Sequence, residues 1–546
     1  MKASHILLLT LAGAALSFGQ DPNGAQPNPD GSLRAAQAQA FSQQPLSFDC
    51  EVDGVVVNAA TGEPVPRARL SVSAQGSGPG GVSDSSGKWR FTGAPCGGVQ
   101  LVVSRPGFLP YVYGQRPGRP PARLILFRDM PTHDLRLELP PAAVVTGHIL
   151  DDAGDPVVNV TVSVMAARVV DGKFSFQPAA GVNSNDIGEF RVANLAAGRY
   201  IVCAHRNAPA PTLTTVSTVN PTTLADTCYP GPLEGGQSST MKIDAGRESR
   251  VDFTMVPVSA VHVRGTVSGQ PAGRGFGITL TRDPGPGYGV NYPGSVRPDG
   301  KFDTAGVPPG AYLLVGNLDD GGRRLYARVP VNVGQADVDN LQVPMQPGFS
   351  LTAVVRLDSS HDTRPIPQFG AVLRPAETGG GGGQTKWSED HRSIVFSELV
   401  PRDYQLIVNP VAPFYVQSAT IGGQDILRTE AALRPGSGQI EIVLRDDGGA
   451  IEGDVSDDMG NPISAGVMAI PRAGRPVTGF AATGGYFKLQ NLAPGDYTLY
   501  AWDDPQEVAW ADADWMKPLA AKGVAVTVTA GQTAQIKLTR LAVPAP

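Results

Sequence analysis

Apolar and polar residues alternate with period two along much of this chain, most cleanly at Val158-Asn-Val160-Thr-Val162-Ser-Val164. That period puts one face of a strand in a core and the other in solvent. Short strands of this kind recur, and so do the turns that bound them. Strands with Gly-x-Val or Gly-x-Ile open at Gly54-Val-Val56, Gly147-His-Ile149, Gly265-Thr-Val267 and Gly453-Asp-Val455, while Leu351-Thr-Ala353-Val-Val355 replaces the Gly by Ala. A Gly-polar-Pro turn follows at Gly62-Glu-Pro64, Gly154-Asp-Pro156, Gly269-Gln-Pro271 and Gly460-Asn-Pro462. Glycine permits the positive φ such a turn needs, and proline fixes entry into the next strand.

A second hairpin signal recurs with fixed spacing. It reads Gly188-Glu-Phe190…Gly198-Arg-Tyr200, Gly300-Lys-Phe302…Gly310-Ala-Tyr312 and Gly485-Tyr-Phe487…Gly495-Asp-Tyr497. Gly87-Lys-Trp89…Gly97-Gly-Val99 carries Val in place of Tyr, and Arg392-Ser-Ile394…Arg402-Asp-Tyr404 is degenerate. The aromatic starts an inward-facing strand, a segment ending in Leu195, Val307, Leu399 or Leu492 fills the bottom of the core, and the Tyr enters the following strand. These rings are expected to be core residues with satisfied hydroxyls. Helical periodicity is nearly absent; Val508 to Lys522, Ala-rich with Trp510 and Trp515, is the one candidate short helix.

Such self-similarity means an array of small domains. The repeats divide the chain into β-sandwiches at 49–140, 141–258, 259–348, 349–449 and 450–546, each about 90–120 residues, long enough to close its own core. Residues 1–19 read as an export signal, with Lys2, an apolar run from Ile6 to Ala15 and a small-residue cleavage site at Ser17-Phe-Gly19. The Gln-, Pro-, Ala- and Asn-rich stretch 20–48 reads as a disordered leader. A secreted or periplasmic protein without a lipid anchor follows, and no apolar run is long enough to span a membrane.

Composition narrows the partners. Across 546 residues the net charge is −6, with no Lys/Arg-rich run, which argues against nucleic acid. The four cysteines fall in two modules, Cys50 with Cys96 and Cys203 with Cys228. Disulfides within each module are the economical assignment in an oxidising compartment, although four cysteines allow three connectivities. No CxxC or paired His supports a metal site instead.

Taken in order, these strands, turns and hairpins resemble the carboxypeptidase regulatory-like domain. That resemblance implies a transthyretin-like (Ig-like), antiparallel all-β sandwich related to the B-type repeats of collagen adhesins. It covers most of residues 50–541 and is weakest in the fourth module. It implies accessory, adhesive or glycan-associated roles and exported bacterial proteins, not one activity. The Lys-to-Asn amide cross-links of adhesin repeats are not expected, because the opening strands contain no Lys.

The chain shows no zinc HExxH motif and no Gly-x-Ser-x-Gly elbow, so no enzyme and no cofactor are expected. Acidic turns such as Asp151-Asp-Ala-Gly154 and Asp457-Asp-Met-Gly460 lack the spacing of a calcium loop and read as hairpin turns. The Gly379 to Gly383 run reads as a floppy loop. Trp502, Trp510 and Trp515, with Asp503, Asp504, Glu507, Asp512 and Asp514 between them, form the one aromatic–acidic stretch. Flat rings beside carboxylates suit a sugar, yet Trp502 could equally be core while the other two pin a capping helix. Tyr111-Val-Tyr113 and Tyr288-Gly-Val-Asn-Tyr292 are weaker versions of the same case. The function expected is a monomeric, non-catalytic array for binding or scaffolding at the cell envelope, with polysaccharide the leading ligand. The alternative is a structural stalk, or an adhesin-like protein-binding array, without a glycan site.

Overall fold

The computed structural model describes residues 47–542 except 116–120, 207–221, 231–239, 283–289, 322, 359–364, 377–382 and 505–506. The export signal, nearly all of the leader and most of the Gly379–Gly383 loop lie outside the described residues. The rest is a tandem array of five β-sandwiches, each with its own buried apolar cluster.

One pairing scheme repeats. The opening strand lies between the aromatic strand, antiparallel, and the closing strand, parallel. In the first sandwich Cys50–Asn58 pairs with Lys88–Ala94 and Thr132–Leu139. In the third, Val261–Ser268 pairs with Lys301–Val307 and Val338–Pro344, and in the fifth Gly449–Ser456 pairs with Tyr486–Leu492 and Thr533–Leu541. The second and fourth follow suit. Apart from one short parallel contact in the fifth sandwich, the other pairings are antiparallel. The opening–closing pair is parallel because the rest of the sandwich supplies the crossover that parallel strands require. In the third sandwich the two sheets run into one, joined where Val296 pairs with Phe302.

The opening Gly now has a cause. A Cβ on Gly54, Gly147, Gly265 or Gly453 would lie 2.0, 1.7, 2.2 or 1.8 Å from a carbonyl oxygen of the closing segment. The hairpin Tyr residues are buried, and their hydroxyls donate to the carbonyl four residues upstream: Tyr200 to Ala196, Tyr312 to Pro308, Tyr404 to Val400 and Tyr497 to Ala493, at 2.8–2.9 Å. Each bond ties the Tyr strand to the reversal before it, which satisfies a buried polar atom. Just before the buried Leu195, Val307, Leu399 and Leu492, the chain turns left-handed at Asn194, Gly306, Glu398 and Asn491, with φ of 56–74°. The aromatic strand bulges at each of these points.

Two disulfides close within sandwiches, Cys50–Cys96 and Cys203–Cys228. The second joins directly opposed residues of neighbouring strands. The aromatic stretch of the fifth sandwich forms a short helix, Ala513–Met516, continued by a 3-10 turn, Lys517–Lys522. No described helix is long and apolar enough to cross a membrane.

Candidate functional site

Period-two alternation in the strand Gly495–Trp502 sends Tyr497, Leu499 and Ala501 into the fifth core and leaves Tyr500 on a second apolar cluster with Met468 and Trp502. Residues 507–522 fold over that cluster. Asp512 caps the helix by accepting the backbone N–H groups of Asp514 and Trp515, both at 3.1 Å. The cap sets Trp515 inward. Trp502 is 0% exposed and Trp515 9%, and the rings of Tyr500 and Trp502 stack at 5.0 Å.

The cluster is completed by a different sandwich. Strands Val160–Val170 and Lys173–Asn183 form a long hairpin of the second sandwich, paired from Thr161↔Asn183 to Val170↔Lys173. Asp171 and Gly172, at φ of 52° and 75°, make its two-residue tip. Such a turn matches the twist of the strands it joins. Val169 and Phe174 enter the tryptophan cluster, with Phe174 edge-on to Trp515 at 6.5 Å. Gly172 lies flat on the Trp510 indole, where a Cβ would be 2.4 Å from the ring, and its carbonyl accepts the Ala511 N–H at 2.9 Å.

Charge closes the contact. Asp171 accepts from Arg475 of the fifth sandwich at 2.6 Å and forms an ion pair with Arg374 of the fourth. Burial pushes the Asp171 carboxyl up, but these two guanidinium groups outweigh it and hold the pKa below the usual range. Arg475 also lies 5.9 Å over the Trp510 ring. Hairpin tip, tryptophan cluster and two arginines together form a clasp between residues 304 positions apart in sequence.

The expected site residues are thus brought together, on protein rather than on solvent. Trp502 and Trp515 are buried, and Trp510 is half-buried beneath Gly172. The intervening carboxylates have local work as well: Asp512 caps the helix, and Asp503 accepts from Arg540 at 3.1 Å. Of the weaker aromatic loops, Tyr111 and Tyr113 pack half-buried on the first core, Tyr292 is buried and Tyr288 lies outside the described residues. The Asp49, Cys50 and Cys96 ligand cluster has both sulfurs committed to a disulfide. Sequence reasoning missed Asp171, Gly172, Arg374 and Arg475. The available signal was Asp171-Gly172 between Val169-Val170 and Phe174, a two-residue hairpin turn.

A second interdomain joint holds a perturbed carboxyl. Met165, Phe176, Ile201 and Cys203 of the second sandwich pack into the core cluster of the third. There Tyr292 donates to Asp226 at 3.2 Å, and Tyr292 meets Tyr312 edge-on at 5.7 Å. Burial pushes Asp226 up to about 6, against the Tyr292 hydrogen bond and the Arg282 charge. A carboxyl whose pKa rises on folding holds its proton more tightly in the native state, so its contribution is complete below the usual 3.8 and is lost as pH rises through about 6. The wild-type melting temperature is therefore expected to fall across that window, and Asp226→Asn to flatten the dependence. An unchanged pH profile in the variant would remove Asp226 as its source.

These features define a class: a disulfide-bonded tandem of β-sandwiches closed by an interdomain clasp. Residues 51–122 match the carboxypeptidase regulatory-like domain. That match lies within the first sandwich, whose pairing scheme the other four repeat. No curated protein matches the chain. Among solved structures, a streptococcal ancillary pilin is similar at 12% identity over 52% of this chain and 99% of its own, with a TM-score of 0.18. The full-length RrgB pilus protein of Streptococcus pneumoniae is 10% identical over 74% and 98%, at 0.14. BcpA, the major pilin subunit of Bacillus cereus, is 10% identical over 73% and 99%, at 0.14. At such scores these likenesses carry no argument about function.

Proposed function

We propose that this chain is a non-catalytic scaffold of the cell envelope in which the clasp holds the second, fourth and fifth of its sandwiches together. The carrying observation is the contact of Asp171 and Gly172 with Arg374, Arg475 and Trp510, which joins three sandwiches. Two perturbed carboxyls, Asp171 and Asp226, are tied to arginine and tyrosine at interdomain contacts, which supports structural rather than catalytic use. Two disulfides favour an oxidising compartment.

Carbohydrate remains the ligand class that the aromatic–acidic stretch suggests, and access to its rings then requires the clasp to open. Gly172→Val places a side chain against the Trp510 ring at a positive φ, and is expected to separate the second and fifth sandwiches. Small-angle scattering of the full chain should show a larger radius of gyration in the variant, with each sandwich still melting cooperatively. Identical scattering would sink the closed-scaffold reading. Retention of the variant alone on a polysaccharide panel would support a glycan surface beneath the clasp, and retention of neither protein would favour a spacer.

A further inference from the structure

The second and third sandwiches are joined through residues 256–260, which run from the strand Phe253–Met255 to the strand Val261–Ser268. This link is doubled by a second strand. Thr222–Leu224 pairs antiparallel with Pro257–Ser259, from Thr222↔Ser259 to Leu224↔Pro257, and the Ala225 N–H donates to the Val256 carbonyl at 2.8 Å. The added strand comes from earlier in the chain, between Gly198–Arg206 and Met241–Ile243 of the second sandwich.

The segment that carries it touches both neighbours. Leu224 packs on the core of the second sandwich, and Cys228 on the cluster that joins Met165, Phe176, Ile201 and Cys203 to the third. Between them Asp226 accepts the Tyr292 hydroxyl of the third sandwich at 3.2 Å. Thr227–Tyr229 then forms an edge strand on Val202–Ala204, where Cys228 stands opposite Cys203 and is bonded to it. A two-stranded ribbon with three residues a side is marginal in water. Cys203–Cys228 is therefore what fastens this segment, across 25 residues of sequence. Breaking it returns to the segment the chain entropy that the closed loop withholds.

We propose that Thr222–Tyr229 is a redox-sensitive splint on the link between the second and third sandwiches. With Cys203–Cys228 closed it stiffens the link, and reduction by a dithiol releases it and lets the link bend. Cys203 is 1% exposed, whereas Cys228 is half-buried on the edge strand, so the attacking thiolate takes the Cys228 sulfur. A mixed disulfide forms there, and the Cys203 sulfur leaves and takes a proton. The second thiol of the reductant then displaces Cys228, which leaves two cysteine thiols and the dithiol oxidised to a cyclic disulfide. Cys50–Cys96 closes within the first sandwich and has no such link to govern. The splint is separate from the clasp, and its action does not depend on the scaffold reading.

Hydrogen exchange of the full chain, before and after dithiothreitol, tests this, with alkylation and mass spectrometry to locate the free thiols. Cys203 and Cys228 are expected to become alkylated in the folded chain. Exchange in 222–229 and 256–260 should then rise roughly ten-fold or more, as a local opening, while Val160–Val170 and Val261–Ser268 keep their protection. Cys203→Ala/Cys228→Ala should show the same pattern without reductant; if that variant does not fold, the reduced wild-type chain decides. Three results would each overturn the proposal: a Cys203–Cys228 bond that resists the dithiol in the folded chain, exchange unchanged after its reduction, or protection lost throughout the second sandwich, which would make the bond a support of that sandwich instead.

Discussion

Trp502→Ala is expected to destabilise the fifth sandwich by about 3–5 kcal/mol, the range for removing a fully buried large aromatic. Trp502 has no exposed surface, pairs across strands with Gly466 and stacks on Tyr500. Its loss opens a cavity on the outer face of the sheet, where the helical segment and the hairpin of the second sandwich both rest. Hydrogen exchange should accordingly lose protection in Gly466–Pro471 and Gly495–Trp502, and in the hairpin strands Val160–Val170 and Lys173–Asn183 as the clasp loosens. Trp510→Ala, at a half-buried ring, should cost the sandwich much less while affecting the clasp. Denaturant unfolding with a shift below about 1 kcal/mol for Trp502→Ala would contradict this account of the cluster.

Gly453→Ala is expected to be as damaging through a different cause. The added Cβ would stand 1.8 Å from the carbonyl oxygen of Ile536, and that atom belongs to a paired strand rather than to a side chain able to swing away. The opening and closing strands would have to separate, so the loss should reach or exceed the upper end of the roughly 1–3 kcal/mol typical of overpacking. Gly147→Ala, facing the Val251 carbonyl oxygen at 1.7 Å, should behave alike in the second sandwich. The fourth sandwich supplies the control: Ala353 already occupies this position, opposite Ile440. Ala353→Gly should therefore change stability by only about 1 kcal/mol, mainly through backbone entropy. Equal, small effects at Gly453 and Ala353 would show that the carbonyl approach does not constrain the fold.

Most of the fold was legible because it is written in local chemistry. Alternation marked the strands, Gly-polar-Pro and Gly…Gly-x-Tyr marked the turns, and the cysteines fell in pairs inside single repeats. The same logic anticipated the hairpin Tyr hydroxyls, since a buried phenol needs a partner and the reversing chain offers a carbonyl. It did not anticipate the parallel closing strand or the left-handed residue before each Leu or Val. Glu398 in particular carries no turn signature, and its φ of 57° is imposed by the bulge around it.

The candidate site was half legible for a physical reason. A stretch of tryptophans and carboxylates has the same composition whether it receives a sugar ring or a hairpin from another sandwich. What decides between them is the residue facing the indole, and for Trp510 that is Gly172 of the second sandwich. No periodicity within either segment encodes that meeting. Arg374 and Arg475 are likewise ordinary surface arginines in sequence, given a role only by the Asp171 carboxylate placed between them.

The clasp also fixes how the chain would respond to tension. Because the second sandwich is fastened directly to the fifth, a pull on the two ends passes from one to the other across Asp171, Gly172 and the tryptophan cluster. The fourth sandwich shares that load through Arg374, and the third lies on the longer covalent branch, packed against the second. Rupture of the clasp would let this branch lengthen as far as the joint between the second and third sandwiches allows, so that one hairpin tip sets the first step of extension.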